Sequence, residues 1–302
     1  MIMPGGPGLE HIQSLLADGL ERVGDAFAQE LSSDLPPLRS LVEHVERYRG
    51  KMLRPTLVLL SGLAARTGDD ARPLSDAHIT IAAVCEMVHM ATLVHDDVLD
   101  DAEVRRGGLT VNRLRGNEAA VIMGDFLIAS AYRLCSSIEP AEAAKHAALS
   151  IGHTAQELCS GELLQLHHRE DWSLDRATYF EILERKTASL IGLSCRLGAF
   201  LSDARFDRSD ALERYGRRIG GAFQIQDDIL DLTGSEAGVG KSVGRDLAKG
   251  KPTLPLIVHL ERVGPDERAG ALRLLERASR EGGAGASGAA EELGARLVAS
   301  GA

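Results

Sequence analysis

Aromatic side chains are scarce in this chain of 302 residues: Phe, Trp and Tyr together make up 4% of it, although 44% of all residues are hydrophobic. A high content of alanine and leucine with few rings is typical of helices rather than of sheets. No stretch alternates apolar and polar residues between turn signals, so the sequence predicts no β-strand. We therefore expect an all-α protein, and its length allows one large domain or two ordinary ones.

Further absences exclude classes of function. The net charge is −10, whereas a nucleic-acid-binding protein presents a basic face. No run of eighteen apolar residues is present, and the opening residues MIMPGGPG lack the basic start and apolar core of a signal peptide. We expect a soluble cytoplasmic protein that binds no nucleic acid and spans no membrane. Because they show neither a C-x-x-C pair nor metal-ligand spacing, the cysteines are expected to be buried free thiols: Cys85, Cys135, Cys159 and Cys195.

Two acidic segments share one spacing. The segment LVHDDVLDDAEVRRG contains the pattern D-D-x-x-D, and FQIQDDILD repeats it far downstream, each after an apolar helical run. On a helix, carboxylates four residues apart project from one face, about one turn from each other. We call these clusters the first motif, formed by Asp96, Asp97 and Asp100, and the second motif, formed by Asp227, Asp228 and Asp231.

Carboxylates held side by side repel each other unless cations lie between them. Mg²⁺ prefers oxygen ligands and is usually held by one or two carboxylates together with substrate phosphates. A single acidic helix end is more often a solvated surface, but two copies of one cluster favour a metal site. The sequence thus predicts that both motifs bind a diphosphate through Mg²⁺, assisted by the basic residues beside or between them: Arg105, Arg106, Lys186, Lys241 and Lys251.

A second anion site is indicated at the start of an early helix. In RGKMLRP, Pro55 suits the first turn of a helix, which leaves Lys51 and Arg54 on the loop at its entrance. Helix N-termini attract anions, so these two cations predict a phosphate site, although both could simply be solvated. His89 lies two turns before Asp96 on the same face, and it is either a core histidine or a ligand contact.

Apolar periodicity predicts helices along most of the chain. The segment from about Asp76 to Asp101 is apolar on nearly every face, which is typical of a central helix, and Ser75 could cap it. Residues 1–8 and about 282–302 are expected to be flexible, with at most a short, weakly anchored helix near the end. The other predicted helices cover 9–31, 38–48, 55–66, 139–166, 176–204, 207–232 and 251–263. The stretch 112–134 is predicted to contain turns followed by a further helix.

Several separate stretches, in one order and at one spacing, carry a resemblance to a known family. From about Arg49 to Leu260, the chain resembles a trans-prenyltransferase of the polyprenyl diphosphate synthase family. It departs from the family at Arg49, where glycine is usual, and at Leu109, where proline is common; neither position bears a ligand. The stretches are GKMLRP, HMATLVHDDVLDDAEVRRG, TVNRLRGNEAAVIMGDFL, ERKTASLI, FQIQDDILD and GKSVGRDLAKGKPTLPLI.

The resemblance implies a single helical domain of the isoprenoid synthase type over residues 1–302, with a central apolar cavity, and usually a homodimer. It implies a Mg²⁺ requirement, with three ions per site when substrate is bound, and no more than transient membrane contact for product release. The metal ligands would be Asp96, Asp100, Asp227 and Asp231. Isopentenyl diphosphate would be bound by Lys51, Arg54, His89 and Arg106. The allylic diphosphate would be bound by Arg105, Lys186, Thr187, Gln224, Lys241 and Lys251.

The reaction that this family catalyses is a head-to-tail condensation. An allylic diphosphate ionises, isopentenyl diphosphate attacks the cation, and a proton is then lost to the released diphosphate. Charge develops on the leaving diphosphate, so metals and fixed cations act mainly at that stage. No nucleophilic Ser or Cys is needed, and the sequence contains no triad-like arrangement. The residues expected to act in catalysis are Asp96, Asp97, Asp100, Asp227, Asp228 and Lys186.

Product length is indicated by the residues that precede the first motif. Ala91 lies five positions before Asp96, where a bulky ring would close the cavity floor, and Met87 and Val84 deeper down are not rings either. An open apolar cavity predicts a product longer than C20, made from a primer such as farnesyl or geranylgeranyl diphosphate. The alternatives are a short-chain synthase making farnesyl or geranylgeranyl diphosphate, a cyclase or head-to-head condensing relative, and a non-catalytic subunit of a heteromeric prenyltransferase.

Overall fold

The computed structural model describes residues 7–66, 74–202, 206–233, 245–281 and 283–301. Helices dominate these residues, which confirms the all-α prediction. In the first half of the chain, the helices are α1 (Pro7–Leu31), α2 (Pro36–Val45), α3 (Leu53–Ala64), α4 (Asp76–Leu99), α5 (Val111–Arg115), α6 (Asn117–Cys135) and α7 (Ala141–His167).

The second half of the described chain is helical as well. A 3₁₀ helix, Glu46–Tyr48, follows α2, and a π-helix, Glu184–Ala188, lies between α8 and α9. The remaining helices are α8 (Arg176–Leu183), α9 (Ser189–Ser202), α10 (Phe206–Thr233), α11 (Arg245–Ala248), α12 (Leu254–Arg262), α13 (Pro265–Glu281) and α14 (Gly283–Ala299).

A two-stranded antiparallel hairpin corrects the prediction that no strand exists. Its strands are β1 (Val104–Arg105) and β2 (Gly108–Leu109), with Val104 opposite Leu109. Two residues per strand are too few to show a period of two in the sequence, so periodicity could not reveal them. The tight turn between them contains Arg106 and Gly107, both at positive φ.

The chain divides into two compact units. The first unit comprises residues 1–155 and 190–218, and the second comprises residues 156–189 and 219–302. The helices α7 and α10 each contribute residues to both units. The single domain over residues 1–302 stays a prediction.

The central helix of the first unit is α4, which packs against α1, α3 and α6. Ser75 precedes it as predicted, with its hydroxyl 2.7 Å from Nδ1 of His78. Among the described residues, α4 is the one helix long and apolar enough to cross a membrane, and 72% of its most apolar window is buried inside the protein. That burial is typical of a core helix, as the all-round apolar pattern predicted.

The end of the chain differs from the expected flexible tail. A helix, α14, occupies Gly283–Ala299, and the helix before it, α13, was not predicted at all. Leu293 and Leu297 of α14 are each 1% exposed, because they join one buried leucine cluster of the second unit with Leu256 and Leu275. The glycine-rich composition concealed this anchoring, since the two leucines lie a turn apart after the biased segment.

Three of the four cysteines are buried as predicted, and Cys159 on α7 is exposed, so the expectation was wrong there. Burial raises the pKa of the Cys85 thiol to about 12 and that of Cys135 to about 11. Thiols with such pKa values stay protonated at neutral pH and are poor nucleophiles. This agrees with a mechanism that needs no cysteine.

Candidate active site

The first motif lies where α4 ends. Asp96 is in the last turn, Leu99 is the final helical residue, and Asp100 is the C-cap, its backbone N–H bonded to the carbonyl of Asp96 at 2.9 Å. Asp101 has a φ of 46°, which turns the chain away from the helix axis. The carboxylates of Asp96 and Asp100 are both half-buried. They therefore stay about one turn apart at the open end of the helix, as the spacing predicted.

Asp97, between them, is held differently, because its side chain is only 1% exposed. Its carboxylate accepts a hydrogen bond of 2.9 Å from the Tyr48 hydroxyl. Arg105 binds the same carboxylate through two nitrogens. Its Nε lies 2.9 Å from Oδ1 and 3.1 Å from Oδ2, and its Nη2 lies 2.8 Å from Oδ1. Bidentate arginine–carboxylate pairs of this kind fix orientation as well as charge. The resemblance predicts that Arg105 binds the allylic diphosphate, whereas in the structure two of its nitrogens bind the Asp97 carboxylate.

The hairpin brings Arg106 over the loop before α3. The residue adopts a φ of 50°, and its Nη1 donates to the backbone carbonyl of Tyr48. A Cβ on Gly50 would overlap the Arg106 guanidinium, so any larger residue there would displace this side chain. Lys51 in the same loop is exposed. Arg54 is not on the loop as predicted but in the first turn of α3, because the helix already begins at Leu53.

A buried carboxylate lies near these cations. Glu86 of α4 is 3% exposed, and burial raises its pKa, while the nearby charges of Arg54, Arg106 and Arg49 oppose that rise. Burial likewise lowers the pKa of Arg54, an effect that the Glu86 charge counteracts. The sequence did not single out Glu86, although one charged residue within ITIAAVCEMVHM was the available signal.

His89 lies one turn after Glu86, among the same arginines. Burial and then the charges of Arg54, Arg106 and Arg105 keep its pKa well below the ordinary value. Without a ligand, the imidazole is therefore uncharged at neutral pH and has one N–H to donate. Thus Arg54, His89 and Arg106, three of the four residues predicted to bind isopentenyl diphosphate, share one electrostatic environment.

The neutral state of His89 gives a testable distinction. We expect His89→Gln, which keeps a neutral N–H donor, to retain most of the kcat/KM for isopentenyl diphosphate, and His89→Ala to lose roughly 10-fold or more, since a hydrogen bond to a charged group contributes about 1.5–3 kcal/mol. Steady-state kinetics would measure both, with the exposed His153→Gln as control. Equal losses in the Gln and Ala variants would contradict a neutral-donor role.

In the second unit, the second motif lies near the end of α10. Asp227 is exposed, and the Asp231 carboxylate accepts the backbone N–H of Asp246 at 3.2 Å. Asp228 is 4% exposed and accepts from the Tyr179 hydroxyl at 2.7 Å and from Gln224 Nε2 at 2.9 Å. Burial raises the Asp228 pKa to about 6, against the lowering effect of those two bonds. In both motifs, then, the middle aspartate is buried and bonded to a tyrosine.

A π-helix presents two of the residues predicted to bind the allylic diphosphate. Thr187 donates to Gln224 Oε1 at 3.0 Å, which extends the chain of bonds to Asp228. Lys186 pairs with Glu162 of α7. Short π-helical turns inside α-helices occur frequently at functional sites. The structure therefore brings Lys186, Thr187 and Gln224 together beside the second motif.

Gly161 allows the close approach of α7 to this π-helix. A Cβ there would lie 2.8 Å from Cβ of Arg185 and 2.8 Å from the backbone N of Lys186. We expect Gly161→Ala to lower the free energy of unfolding by about 1–3 kcal/mol through overpacking and to reduce kcat/KM for the allylic substrate. Chemical denaturation and kinetics would check this against Gly264→Ala, where an added Cβ meets nothing within 4 Å. Unchanged kinetics in Gly161→Ala would contradict the role of this contact.

The last two predicted lysines follow the second motif. Lys251 is half-buried just after α11, and its backbone N–H bonds the carbonyl of Asp246 at 2.9 Å. Lys241 lies outside the described residues. Lys251 is thus tied through Asp246 to the segment that also bonds Asp231.

With this geometry in hand, comparison with known proteins identifies the family. The family model described as "Polyprenyl synthetase" matches residues 36–286. The chain belongs to the polyprenyl synthetase family. It is a prenyltransferase, and the resemblance inferred from its motifs is confirmed.

Curated relatives of this prenyltransferase include synthases of long prenyl chains. Octaprenyl diphosphate synthase of Escherichia coli (strain K12) is 34% identical over 265 residues, which cover 88% of this chain and 79% of the relative. Heptaprenyl diphosphate synthase component 2 of Bacillus subtilis (strain 168) is 39% identical over 249 residues, covering 82% of this chain and 68% of the relative. A short chain isoprenyl diphosphate synthase of Methanothermobacter thermautotrophicus is 35% identical over 255 residues, covering 84% of this chain and 77% of the relative.

Solved structures share the fold over nearly the whole prenyltransferase. The polyprenyl synthase of Caulobacter crescentus CB15, complexed with calcium and isoprenyl diphosphate, has a TM-score of 0.83 and 32% identity, covering 99% of this chain and 88% of that one. The decaprenyl diphosphate synthase of Rhodobacter capsulatus has a TM-score of 0.82 and 29% identity, covering 97% and 86%. The isoprenoid synthase fold expected from the sequence is confirmed.

The carboxylates of this polyprenyl synthetase fit the divalent metal that the family uses. The described residues contain no preassembled group of three or more His, Cys, Asp or Glu side chains suited to a metal ion. Each motif instead places two accessible or half-buried carboxylates together, which are Asp96 and Asp100 in one and Asp227 and Asp231 in the other. That is the donor set of a Mg²⁺ site completed by waters and substrate phosphates. Hard oxygen donors without thiolates or imidazoles fit this ion.

The residues predicted to set product length are all in the core of this prenyltransferase. Ala91, Met87 and Val84 lie on α4, and each is 0% exposed. They follow one another towards the N-terminus of the helix, away from the first motif. Their effect on product length stays a prediction.

Proposed function

We propose that this prenyltransferase is an all-trans polyprenyl diphosphate synthase that condenses isopentenyl diphosphate head to tail with an allylic diphosphate in the presence of Mg²⁺. Three arginines around α4 carry the proposal. Arg105 binds Asp97 at the end of the helix, Arg54 and Arg106 lie near the buried Glu86, and the charges of all three act on His89. Several fixed cations in one region suit an enzyme that holds two diphosphates at once.

The proposed roles are those that the resemblance to the family implies. Asp96, Asp100, Asp227 and Asp231 would hold the Mg²⁺ ions, three per site with substrate bound, and bound Mg²⁺ would supply stabilisation of negative charge on the diphosphate. Isopentenyl diphosphate binds at Lys51, Arg54, His89 and Arg106. The allylic diphosphate binds at Arg105, Lys186, Thr187, Gln224, Lys241 and Lys251. Asp97 and Asp228, each buried and bonded to a tyrosine, orient these groups, and Lys186 assists catalysis.

The proposed reaction has three steps, which are ionisation, condensation and proton loss. The allylic C–O bond breaks, and its electron pair leaves on the diphosphate, where fixed cations such as Arg105 stabilise the added charge. The double bond of isopentenyl diphosphate then supplies the electron pair of the new C–C bond. A proton leaves the adjacent carbon and passes to the released diphosphate. An apolar surrounding keeps water from the cation.

We propose a product longer than C20. Ala91 supports this, because its small side chain would not close a cavity at this position as a bulky ring would. The similarity to octaprenyl, heptaprenyl and decaprenyl diphosphate synthases supports it as well. A short-chain product is the second candidate, favoured by the similarity to the short chain synthase of Methanothermobacter thermautotrophicus.

We further propose a cytoplasmic homodimer that contacts membranes only transiently, for product release. Its support is an exposed apolar pair on α6, where Val121 is 44% exposed and Ile122 is 66% exposed. Contiguous exposed apolar surface marks sites of protein or membrane contact, and this pair would contribute to such a surface. A heteromer is the alternative, since one relative is named as component 2 of its synthase.

Release of inorganic diphosphate tests the function. We expect release only when isopentenyl diphosphate, an allylic diphosphate and Mg²⁺ are all present, and none after chelation with EDTA. A cyclase would release diphosphate from the allylic substrate alone. Release without isopentenyl diphosphate, or no release from the purified chain under any condition, would contradict a condensing enzyme.

A further inference from the structure

We propose that Tyr48 is a positioning residue of the active site, aligning Arg105 with the allylic diphosphate through Asp97. The inference rests on the proposed function, because it assigns Arg105 to that substrate. Tyr48 ends the 3₁₀ helix after α2 and is 2% exposed. Tyr48 is not among the predicted site residues, because nothing in the local sequence ERYRGKM indicates that its ring meets an aspartate on another helix.

The Tyr48 hydroxyl makes two hydrogen bonds. It donates to Asp97 Oδ2 at 2.9 Å and accepts the backbone N–H of Val111, the first residue of α5, at 3.2 Å. Asp97 is further fixed by Asn112, whose Nδ2 lies 3.3 Å from its backbone carbonyl. One hydroxyl therefore ties the end of α4 to the start of α5.

The rest of Tyr48 contacts the two hairpin arginines. The Arg105 guanidinium carbon lies 5.8 Å from the centre of the Tyr48 ring, and Arg106 Nη1 donates to the Tyr48 carbonyl. Cations over aromatic faces are attracted by the ring quadrupole. Arg105 uses Nε and Nη2 on Asp97, so among the described contacts Nη1 is the nitrogen left to reach a ligand. The direction of Nη1 depends on how the Asp97 carboxylate is held.

The second unit contains the same arrangement, a tyrosine hydroxyl bonded to the middle aspartate of the motif. Tyr179 donates to Asp228 at 2.7 Å, and the two residues are 49 positions apart, the separation found between Tyr48 and Asp97. The additional partner differs, because Asp228 is held by the neutral Gln224, whereas Asp97 is held by a cation. A hydroxyl anchoring the middle aspartate thus recurs in both motifs, which favours a role in the motif over incidental packing.

Tyr48→Phe separates the hydroxyl from the other contacts. The ring and the backbone carbonyl remain, so the contacts with the Arg105 face and with Arg106 are retained. Without the hydroxyl's bond, the Asp97 carboxylate no longer holds Arg105 in line with its ligand, and that misalignment should weaken ligand binding by about tenfold, roughly the contribution of one hydrogen bond to a charged group. We expect kcat/KM for the allylic diphosphate to fall by about tenfold, while KM for isopentenyl diphosphate, bound beside Arg106, changes by less than about twofold.

The decisive experiment is isothermal titration calorimetry of the full-length chain with inorganic diphosphate and Mg²⁺, run beside the kinetics. Wild type is compared with Tyr48→Phe, with Asp97→Asn, with the double variant, and with the exposed Tyr215→Phe as the matched control. We expect a Kd about tenfold higher for Tyr48→Phe, no change for Tyr215→Phe, and a double variant no weaker than Asp97→Asn alone. Stoichiometry reports the folded fraction and Kd reports the site, so partial unfolding does not obscure the result.

Each outcome bears on the proposal. An unchanged Kd together with an unchanged allylic kcat/KM in Tyr48→Phe would overturn it, as would additive effects in the double variant or equal losses for both substrates. If wild type binds diphosphate but transfers no prenyl group, the proposed function fails, while a weaker Kd in Tyr48→Phe still supports the positioning role. If wild type does not bind diphosphate at all, both fail.

Discussion

Asp96→Asn and Asp227→Asn should each lower prenyl transfer by at least about 10²-fold, the loss typical when one preorganised group that stabilises developing charge is removed. The side-chain volume is nearly unchanged, but the amide is a poorer ligand for a hard cation. Asp96 is half-buried at the end of α4 and Asp227 is exposed on α10, so neither substitution disturbs a core. Steady-state rates at saturating substrate measure the effect, and a Mg²⁺ titration should show a higher metal requirement in each variant.

Asp101→Asn is the matched control for this pair. Asp101 is exposed next to the first motif and has a φ of 46°, a conformation that asparagine tolerates well. We expect this variant to keep near-normal activity and an unchanged Mg²⁺ requirement. Near-normal turnover in either Asp96→Asn or Asp227→Asn would rule out the metal assignment for that motif.

Ala91→Phe should shorten the product. A phenyl ring placed five residues before Asp96 would obstruct the space below the reacting centre, so elongation would stop earlier. Met87→Phe, one turn further from the motif and about 6 Å deeper along the helix, should give products longer than those of Ala91→Phe but shorter than those of wild type. Mass spectrometry of the extracted products establishes the order.

The same substitutions also overpack a core, since Ala91 and Met87 are both 0% exposed. Added volume there costs about 1–3 kcal/mol of stability, so thermal unfolding is measured alongside. Met87→Leu, which nearly conserves volume, should change neither stability nor product length appreciably. A destabilised Ala91→Phe that still makes the wild-type product would show that Ala91 does not line the growing chain.

The features that the sequence predicted well are those set by local patterning. The all-apolar stretch before the first motif predicted a central helix, and α4 is that helix. The repeated D-D-x-x-D spacing predicted two carboxylate pairs, because residues four apart meet on one helix face whatever the surroundings. Ser75 likewise precedes α4, since capping depends on a few neighbouring residues.

The features that the sequence missed depend on distant partners. Tyr48 and Asp97 are 49 residues apart, and no local pattern states that their side chains meet. The π-helix at Glu184–Ala188 accompanies the close approach of Gly161 on another helix, which local helix propensity does not encode. Glu86 was overlooked because its buried charge makes sense only beside arginines supplied by α3 and the hairpin. Helix α14 was read as flexible because glycine-rich composition obscured two buried leucines.

The central claim is that this chain elongates an allylic diphosphate to a long all-trans product. The most direct measurement incubates the purified protein with Mg²⁺, isopentenyl diphosphate and each allylic primer in turn, and weighs the products by mass spectrometry. We expect a series of prenyl diphosphates that ends beyond C20 with at least one primer, and no product when EDTA replaces Mg²⁺. A series that ends at C15 or C20 with every primer, or no chain growth at all, would contradict the account.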